Sequence, residues 1–204
     1  ERCMAKDGFV GAVINGHIKG HYLDEPQFEP ILDTAEKTGA ILYIHPALPP
    51  QNVIDTYYKM EDKYAQNVIA SGGWGWHIET GVHVLRLIAS GAVDRHPNLK
   101  VVVGHLGEGL PFFMTRLYNA TKGNLEKPYP EYLKENIYYS ISGFHDPDLL
   151  TYVLKKVGNE HVMFSTDFPF NLPDKEVAFF MEAGLDDETR EKIAYKNAEK
   201  LLHL

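Results

Sequence analysis

The sequence has a single cysteine, Cys3, so no internal disulfide can staple the fold, and such usage fits a reducing compartment, the cytoplasm. No apolar run approaches the ~18–20 residues that a membrane helix needs, which excludes a spanning helix. Positive charge is in the minority. Lys and Arg number 20 against 28 Asp and Glu, a formal charge of −8. That balance argues against sequence-independent nucleic-acid binding, which requires a basic face to displace counterions. There is no Met at position 1, and the opening Glu1-Arg2-Cys3 is polar, without the apolar stretch of a signal peptide. Linkers, low-complexity tracts and composition breaks are also missing. What remains is ordinary: 204 residues, 44% hydrophobic and 24% charged, the range of one soluble globular domain or at most two small ones.

Five short apolar runs are rich in β-branched or aromatic residues: Phe9–Ile14, Ile41–Ile44, Val101–Val103, Ile137–Ile141 and Val162–Phe164. Continuous runs of this kind suit strands buried on both faces, as in a parallel sheet. Each is followed by polar or turn-forming residues: Asn15-Gly16-His17, His45-Pro46, Gly104-His105-Leu106-Gly107, Ser142-Gly143 and Ser165-Thr166-Asp167-Phe168-Pro169. Between them lie helical patterns. Pro26–Thr38 spaces Phe28, Ile31, Leu32 and Ala35 and ends on Gly39; Glu79–Ser90 spaces Val82, Leu85, Ile88 and Ala89 and ends on Gly91. Pro147–Val157 follows Asp146, a good N-cap, and Glu188–Leu202 is a closing amphipathic helix. The stretch from Pro49 to Trp76 predicts a helix and an aromatic, glycine-rich loop, Gly72–Trp76. The order of elements predicts a single α/β domain over residues 1–204 with parallel strands.

Chemistry-bearing residues collect at the strand ends. His45 closes the second run; a neutral imidazole there suits a borderline divalent metal, or else caps the sheet through hydrogen bonds. His105 stands three residues before Glu108, close enough for the carboxylate to hold one tautomer of the ring if the segment turns. Asp167 directly follows the last strand, where a carboxylate needs a metal, a cation or hydrogen bonds; an ordinary turn-forming Asp is the competing reading. In a parallel sheet such residues converge on one rim and together form a plausible site. Arg116 lies at helical spacing from Phe112 and Phe113 and suits bidentate carboxylate binding, or packs its stem on the surface. His17 and His21 follow the first strand. His77 and His83 flank or lie on a helix, His96 precedes Pro97 in a loop, and His145, His161 and His203 read as surface or turn residues.

Several longer motifs carry a resemblance. They are Tyr43-Ile44-His45-Pro46, Gly73-Trp74-Gly75-Trp76-His77-Ile78-Glu79-Thr80, Gly91-Ala92-Val93-Asp94-Arg95-His96-Pro97 and Val103-Gly104-His105-Leu106-Gly107-Glu108-Gly109-Leu110-Pro111-Phe112. Tyr139–Gly143, Phe164–Phe170 and Lys192–Ala198 extend the match to the C-terminus. Together they resemble the amidohydrolase superfamily, and most closely its "amidohydrolase 2" branch of γ-resorcylate, 2,3-dihydroxybenzoate and 5-carboxyvanillate decarboxylases. The resemblance implies a distorted (β/α)₈ TIM barrel with one divalent metal, zinc or manganese, at its mouth and no organic cofactor. It implies His45 and Asp167 as metal ligands and Asp167, His105 and Glu108 as catalytic groups. Arg116 matches an arginine that reaches the substrate carboxylate of a neighbouring subunit, so a homodimer or homotetramer is implied. The implied activity is non-oxidative decarboxylation of a small hydroxylated aromatic acid.

One family feature does not appear. The Glu-x-His or His-x-His pair that the family carries after its first strand has no counterpart here. The five strands match family strands four to eight. The chain is therefore read as an N-terminally truncated barrel lacking strands one to three. Two further readings stand beside the decarboxylase: a metal-dependent hydrolase of an amide, lactone or ester, and an inactive fragment lacking the N-terminal ligands. No membrane or nucleic-acid partner is expected.

Overall fold

The computed structural model describes residues 1–6, 8–120 and 123–204. The chain forms two compact units, residues 1–101 with 123–127 and residues 102–120 with 128–204.

In the first unit, β1 (Gly11–Asn15) and β2 (Ile41–His45) pair in parallel, Gly11 opposite Ile41 and Asn15 opposite His45. A parallel pair needs a crossover. It is made by the 3₁₀ turn Pro26–Phe28 and α1 (Glu29–Thr38), which buries Leu32 and Ala35 and ends at Gly39 as the periodicity predicts. Leu42 N–H donates to Lys100 O at 3.0 Å, which sets the chain entering β3 (Val101–Val103) beside β2. The unit continues through α2 (Gln51–Val53), a π turn (Ile54–Tyr58), α3 (Lys63–Ala70), α4 (Gly75–Ala89) and α5 (Ala92–Arg95).

Two expectations change here. The first apolar run is not buried on both faces: β1 stands at the end of the strand order, and Phe9 and Val13 are 50% and 63% exposed. The aromatic loop is not all loop either. Gly75 already belongs to α4, four residues before the predicted start, because a Cβ there would stand 2.2 Å from Ala70 O. Only glycine allows the two helices to follow each other so closely.

This unit also holds a polar cluster. Tyr22 O–H donates to Glu79 Oε1 at 2.5 Å, Arg86 grips Asp24 through two bonds of 2.8 and 2.9 Å, and its guanidinium lies 4.5 Å from the centre of the Tyr22 ring. Leu23 N–H donates to Nε2 of His83, which is 1% exposed. His83 lies on α4 as a core histidine, and burial pushes its pKa down to about 4. A depressed folded-state value means that the unfolded chain binds the extra proton first as pH falls. The stabilisation from neutral His83 is therefore fully present above about pH 6.5 and is lost as pH drops toward 4, a loss of about 3 kcal/mol. Denaturant titrations between pH 7 and pH 4.5 are expected to show this slope, and His83→Gln to flatten it; an unchanged slope in the variant would remove His83 as the cause. His96 is also buried. Its Nδ1 and Nε2 each lie 3.0 Å from a carboxylate, of Glu36 and Glu29 respectively. Arg95 holds Glu29 with two further bonds of 2.9 Å and keeps its carboxyl down at about 2. Glu29, Asp33 and His96 thus form a charge clamp between α1 and the end of α5, which accounts for their proximity.

In the second unit the strand order is β3, β4 (Ile137–Ser140), β5 (Val162–Met163). β4 and β5 are parallel, Tyr139 opposite Val162. The helices are α6 (Leu110–Tyr118), α7 (Tyr129–Glu135), α8 (Pro147–Val157), α9 (Pro173–Glu182), α10 (Asp187–Glu191) and α11 (Asn197–Leu202). Asp146 caps α8 by accepting from Asp148 N–H and Leu149 N–H, with Pro147 in the first turn. The closing helix, expected unbroken, widens into a π turn at Lys192–Lys196. There Ile193 O accepts from Phe164 N–H at 2.8 Å, tying the helix to the chain leaving β5. Asn197 Nδ2 adds bonds to Asn159 O and Val162 O. Tyr139, Ile141, Leu150, Val162 and Ile193 are fully buried. The fold class is α/β, as expected, and no helix among the described residues is long and apolar enough to cross a membrane.

Candidate active site

The second unit gathers three of the residues singled out from the sequence. After β3 the chain turns sharply: His105, Leu106 and Glu108 adopt φ of +49°, +54° and +55°. Asp167, after β5, has φ +56°. These four account for most of the non-glycine residues with positive φ among those described. Left-handed backbone costs a non-glycine residue about 1 kcal/mol or more, so such clustering points to a constrained functional segment.

The turn brings Glu108 under the ring. His105 Nδ1 lies 2.7 Å from Glu108 Oε1, and Glu108 is 2% exposed. With Nδ1–H donated to the carboxylate, Nε2 is the ring nitrogen left to face the site. It lies 3.9 Å from Asp167 Oδ2. Asn171 Nδ2 donates to the same oxygen at 3.1 Å, while Asp167 O accepts from Phe170 N–H and Asn171 N–H. A histidine with one fixed tautomer therefore faces a carboxylate with one anchored oxygen. That arrangement can move a proton or hold a substrate oxygen.

The loop after β4 forms the other wall. Gly143 has φ +86°, and a Cβ built on it would stand 2.8 Å from His105 Cδ2. Phe144 meets the His105 ring edge-on, centroids 6.3 Å apart. A cavity of about 360 Å³ opens beside His105, lined also by Leu106, Pro111, Phe112, Phe144 and Tyr152. Its lining is almost wholly apolar apart from the imidazole.

Two more of the expected site residues are carried by β2 and α6. His45 ends β2 in the first unit, its Nδ1 2.9 Å from Pro46 O, so its Nδ1–H is donated and Nε2 keeps its lone pair. Arg116 is exposed in the last turn of α6, on a helix that also exposes Phe112, Phe113 and Tyr118. Of the residues that the sequence did not single out, Phe144 touches the His105 ring, Asn171 steadies Asp167, and Glu176 bonds the Gly143 peptide. His145 is exposed, in keeping with its reading as a surface or turn residue, and its Nε2 lies 2.8 Å from Glu176 Oε1. The Ser142-Gly143 ending of the fourth run was the one visible signal for this wall.

A sequence model of the family described as Amidohydrolase matches residues 1–204. A gamma-resorcylate decarboxylase from Polaromonas sp. is 32% identical over all of this chain and 65% of its own length. A putative amidohydrolase from Staphylococcus aureus has a crystal structure that superposes with a TM-score of 0.95 at 36% identity, covering 100% of this chain and 67% of that one. The crystal structure of a dihydroxybenzoic acid decarboxylase from Polaromonas sp., with bound manganese and the inhibitor 2-nitroresorcinol, superposes with a TM-score of 0.91 at 31% identity, covering 100% and 64%. The chain spans somewhat less than two thirds of the length of the curated relatives it matches.

Proposed function

The chain belongs to the amidohydrolase family, and from that premise we propose that the protein containing it is a metal-dependent, non-oxidative decarboxylase of a small hydroxylated aromatic acid. The observation that carries this reading is the His105–Glu108 pair aimed at Asp167 across 3.9 Å. The likeness to aromatic-acid decarboxylases along the whole chain supports it. In this reading residues 1–204 are one barrel-type domain corresponding to family strands four to eight.

The donor chemistry fits a divalent cation. His45 presents Nε2 while its other ring nitrogen is occupied by Pro46 O, the state of a ligating imidazole. Asp167 presents a carboxylate that is not fully buried, its Oδ2 steadied by Asn171. Imidazole with carboxylate suits zinc and manganese alike. When bound, the cation offsets the charge of the substrate's carboxylate and neighbouring phenolic oxygen.

The chain's own groups do the rest. Asp167 in its acid form gives a proton to the ring carbon that bears the carboxylate, and the ring loses aromaticity. The bond to the carboxylate then breaks, its electron pair returns to the ring, and carbon dioxide departs. Asp167 is then reprotonated from solvent by the proton that the aromatic acid released on ionising, so no water is consumed. His105, its Nδ1–H held by Glu108, accepts from the phenolic O–H at Nε2 and so pushes electron density into the ring, toward the carbon that takes the proton. The apolar lining beside His105 keeps water from competing for that proton. Exposed Arg116 fits the substrate carboxylate of a second copy in a homodimer or homotetramer, and the single cysteine supports a cytoplasmic location.

The test is direct. The full-length protein, given 2,6-dihydroxybenzoate and related hydroxybenzoates, is expected to release carbon dioxide without consuming water. Chelation is expected to abolish turnover and manganese or zinc to restore it. Hydrolysis of an amide, lactone or ester in place of carbon dioxide release would assign a hydrolase and overturn the reading. A protein with neither stoichiometric metal nor turnover would overturn both.

A further inference from the structure

Glu176 is fully buried on α9, nine residues beyond Asp167, and the proton transfers above do not use it. Burying a carboxylate costs several kcal/mol unless its oxygens are paired. Its Oε1 is paired twice, accepting from Gly143 N–H at 2.9 Å and lying 2.8 Å from His145 Nε2. Its Oε2 has no hydrogen-bond partner among the described residues. So expensive an arrangement, serving one short loop, calls for a reason in that loop.

The loop is residues 142–146, between β4 and α8. At its start Ser142 N–H meets Ser165 Oγ at 3.3 Å, and at its end Asp146 caps α8. Between those ends Glu176 holds the loop twice, once at the Gly143 peptide and once at the His145 ring. The His145 ring also packs edge-on against Phe179 of α9, centroids 5.7 Å apart. The same Gly143 backbone lies against Cδ2 of His105, and the next ring, Phe144, meets His105 edge-on. The imidazole is therefore confined on two sides. Glu108 holds it through Nδ1, and the loop held by Glu176 stops it from swinging on the Cδ2 side. Together these aim Nε2 at Asp167.

We propose that Glu176 is a positioning residue: by accepting from Gly143 N–H and pairing with His145 it fixes the 142–146 loop, and through that loop the direction of His105 Nε2. The proposal rests on the reading of His105 as a reacting group. Removing the acceptor leaves substrate binding in place but lets the imidazole drift from its working direction, and a displacement of about 1 Å is enough to cost on the order of 10²-fold in rate.

Two variants of the full-length protein separate positioning from simple structural support. E176M fills the same volume without an acceptor, whereas E176Q keeps an acceptor at Oε1. E176M is expected to lower kcat on the order of 10²-fold with KM within about threefold of wild type, and E176Q to retain kcat within about threefold. The ¹⁵N imidazole signals of His105 are expected to shift or broaden in E176M and to stay put in E176Q. Folded E176M with wild-type kcat and unchanged His105 signals would overturn the proposal, as would E176Q losing as much kcat as E176M. If E176M does not fold, amide exchange at Gly143 in the wild type decides: strong protection supports the tether, and exchange at the rate of an open loop overturns it. The nuclear magnetic resonance arm needs no turnover, so absence of decarboxylation would count against the proposed function while leaving the positioning of His105 separately measurable.

Discussion

His105→Asn is expected to abolish measurable decarboxylation, with kcat falling about 10³-fold or more, while the fold stays intact. The choice of Asn matters. His105 sits at φ +49°, a left-handed conformation that Asn tolerates better than most side chains, so the variant adds little backbone strain. The Asn amide N–H can also reach toward Glu108 Oε1, to which Nδ1 is bonded at 2.7 Å, which keeps the 2%-exposed carboxylate from being stranded. What Asn lacks is a second ring nitrogen pointing at Asp167. Circular dichroism and thermal unfolding should therefore match the wild type within a few degrees, and steady-state kinetics should not. A folded variant retaining activity within tenfold of wild type would remove His105 from the chemistry.

That residue was visible in the sequence because strand ends are where an α/β fold frees its side chains. The His105–Glu108 spacing already suggested a pair, provided the segment turned. The run of left-handed residues that makes the turn was not visible, since His, Leu and Glu carry no signature for positive φ. Asp167 was legible for the same strand-end reason, and Asn171, four residues on, was not: an amide following a turn looks like any solvated residue. Glu176 was the least visible of all. A Glu between Lys175 and Val177 carries no mark of burial in the sequence, and only the packed structure shows it to be wholly buried with a peptide N–H and an imidazole on one oxygen. The histidines failed in the same direction. His83 and His96 looked peripheral because their partners, Leu23 N–H and Glu29 with Glu36, are distant in sequence. Local pattern located the elements and the rim. It could not find polar side chains whose burial depends on contacts 33 to 67 residues away.

The wall that faces His105 offers the second large effect. Gly143→Ala combines two costs that usually arrive together and here can be separated. The first is conformational: at φ +86° an L-residue is strained by about 1–2 kcal/mol, and for a chain of this size each kcal/mol lowers Tm by about 2–4 °C. The second is a collision. The new methyl carbon would stand 2.8 Å from His105 Cδ2, well inside contact distance, and the loop is tied by Ser165 and Glu176 while the ring is tied by Glu108. Whichever side yields, Nε2 turns away from Asp167, and kcat is expected to fall about 10²-fold. Gly184→Ala supplies the control. Gly184 has φ +69° and open space where its Cβ would go, so it should share the loss in Tm and keep its kcat. Differential scanning calorimetry with kinetics on both variants reads the two costs apart. If Gly143→Ala loses no more activity than Gly184→Ala, the Gly143 backbone does not set the His105 ring, and the apparent confinement of the imidazole has no catalytic consequence.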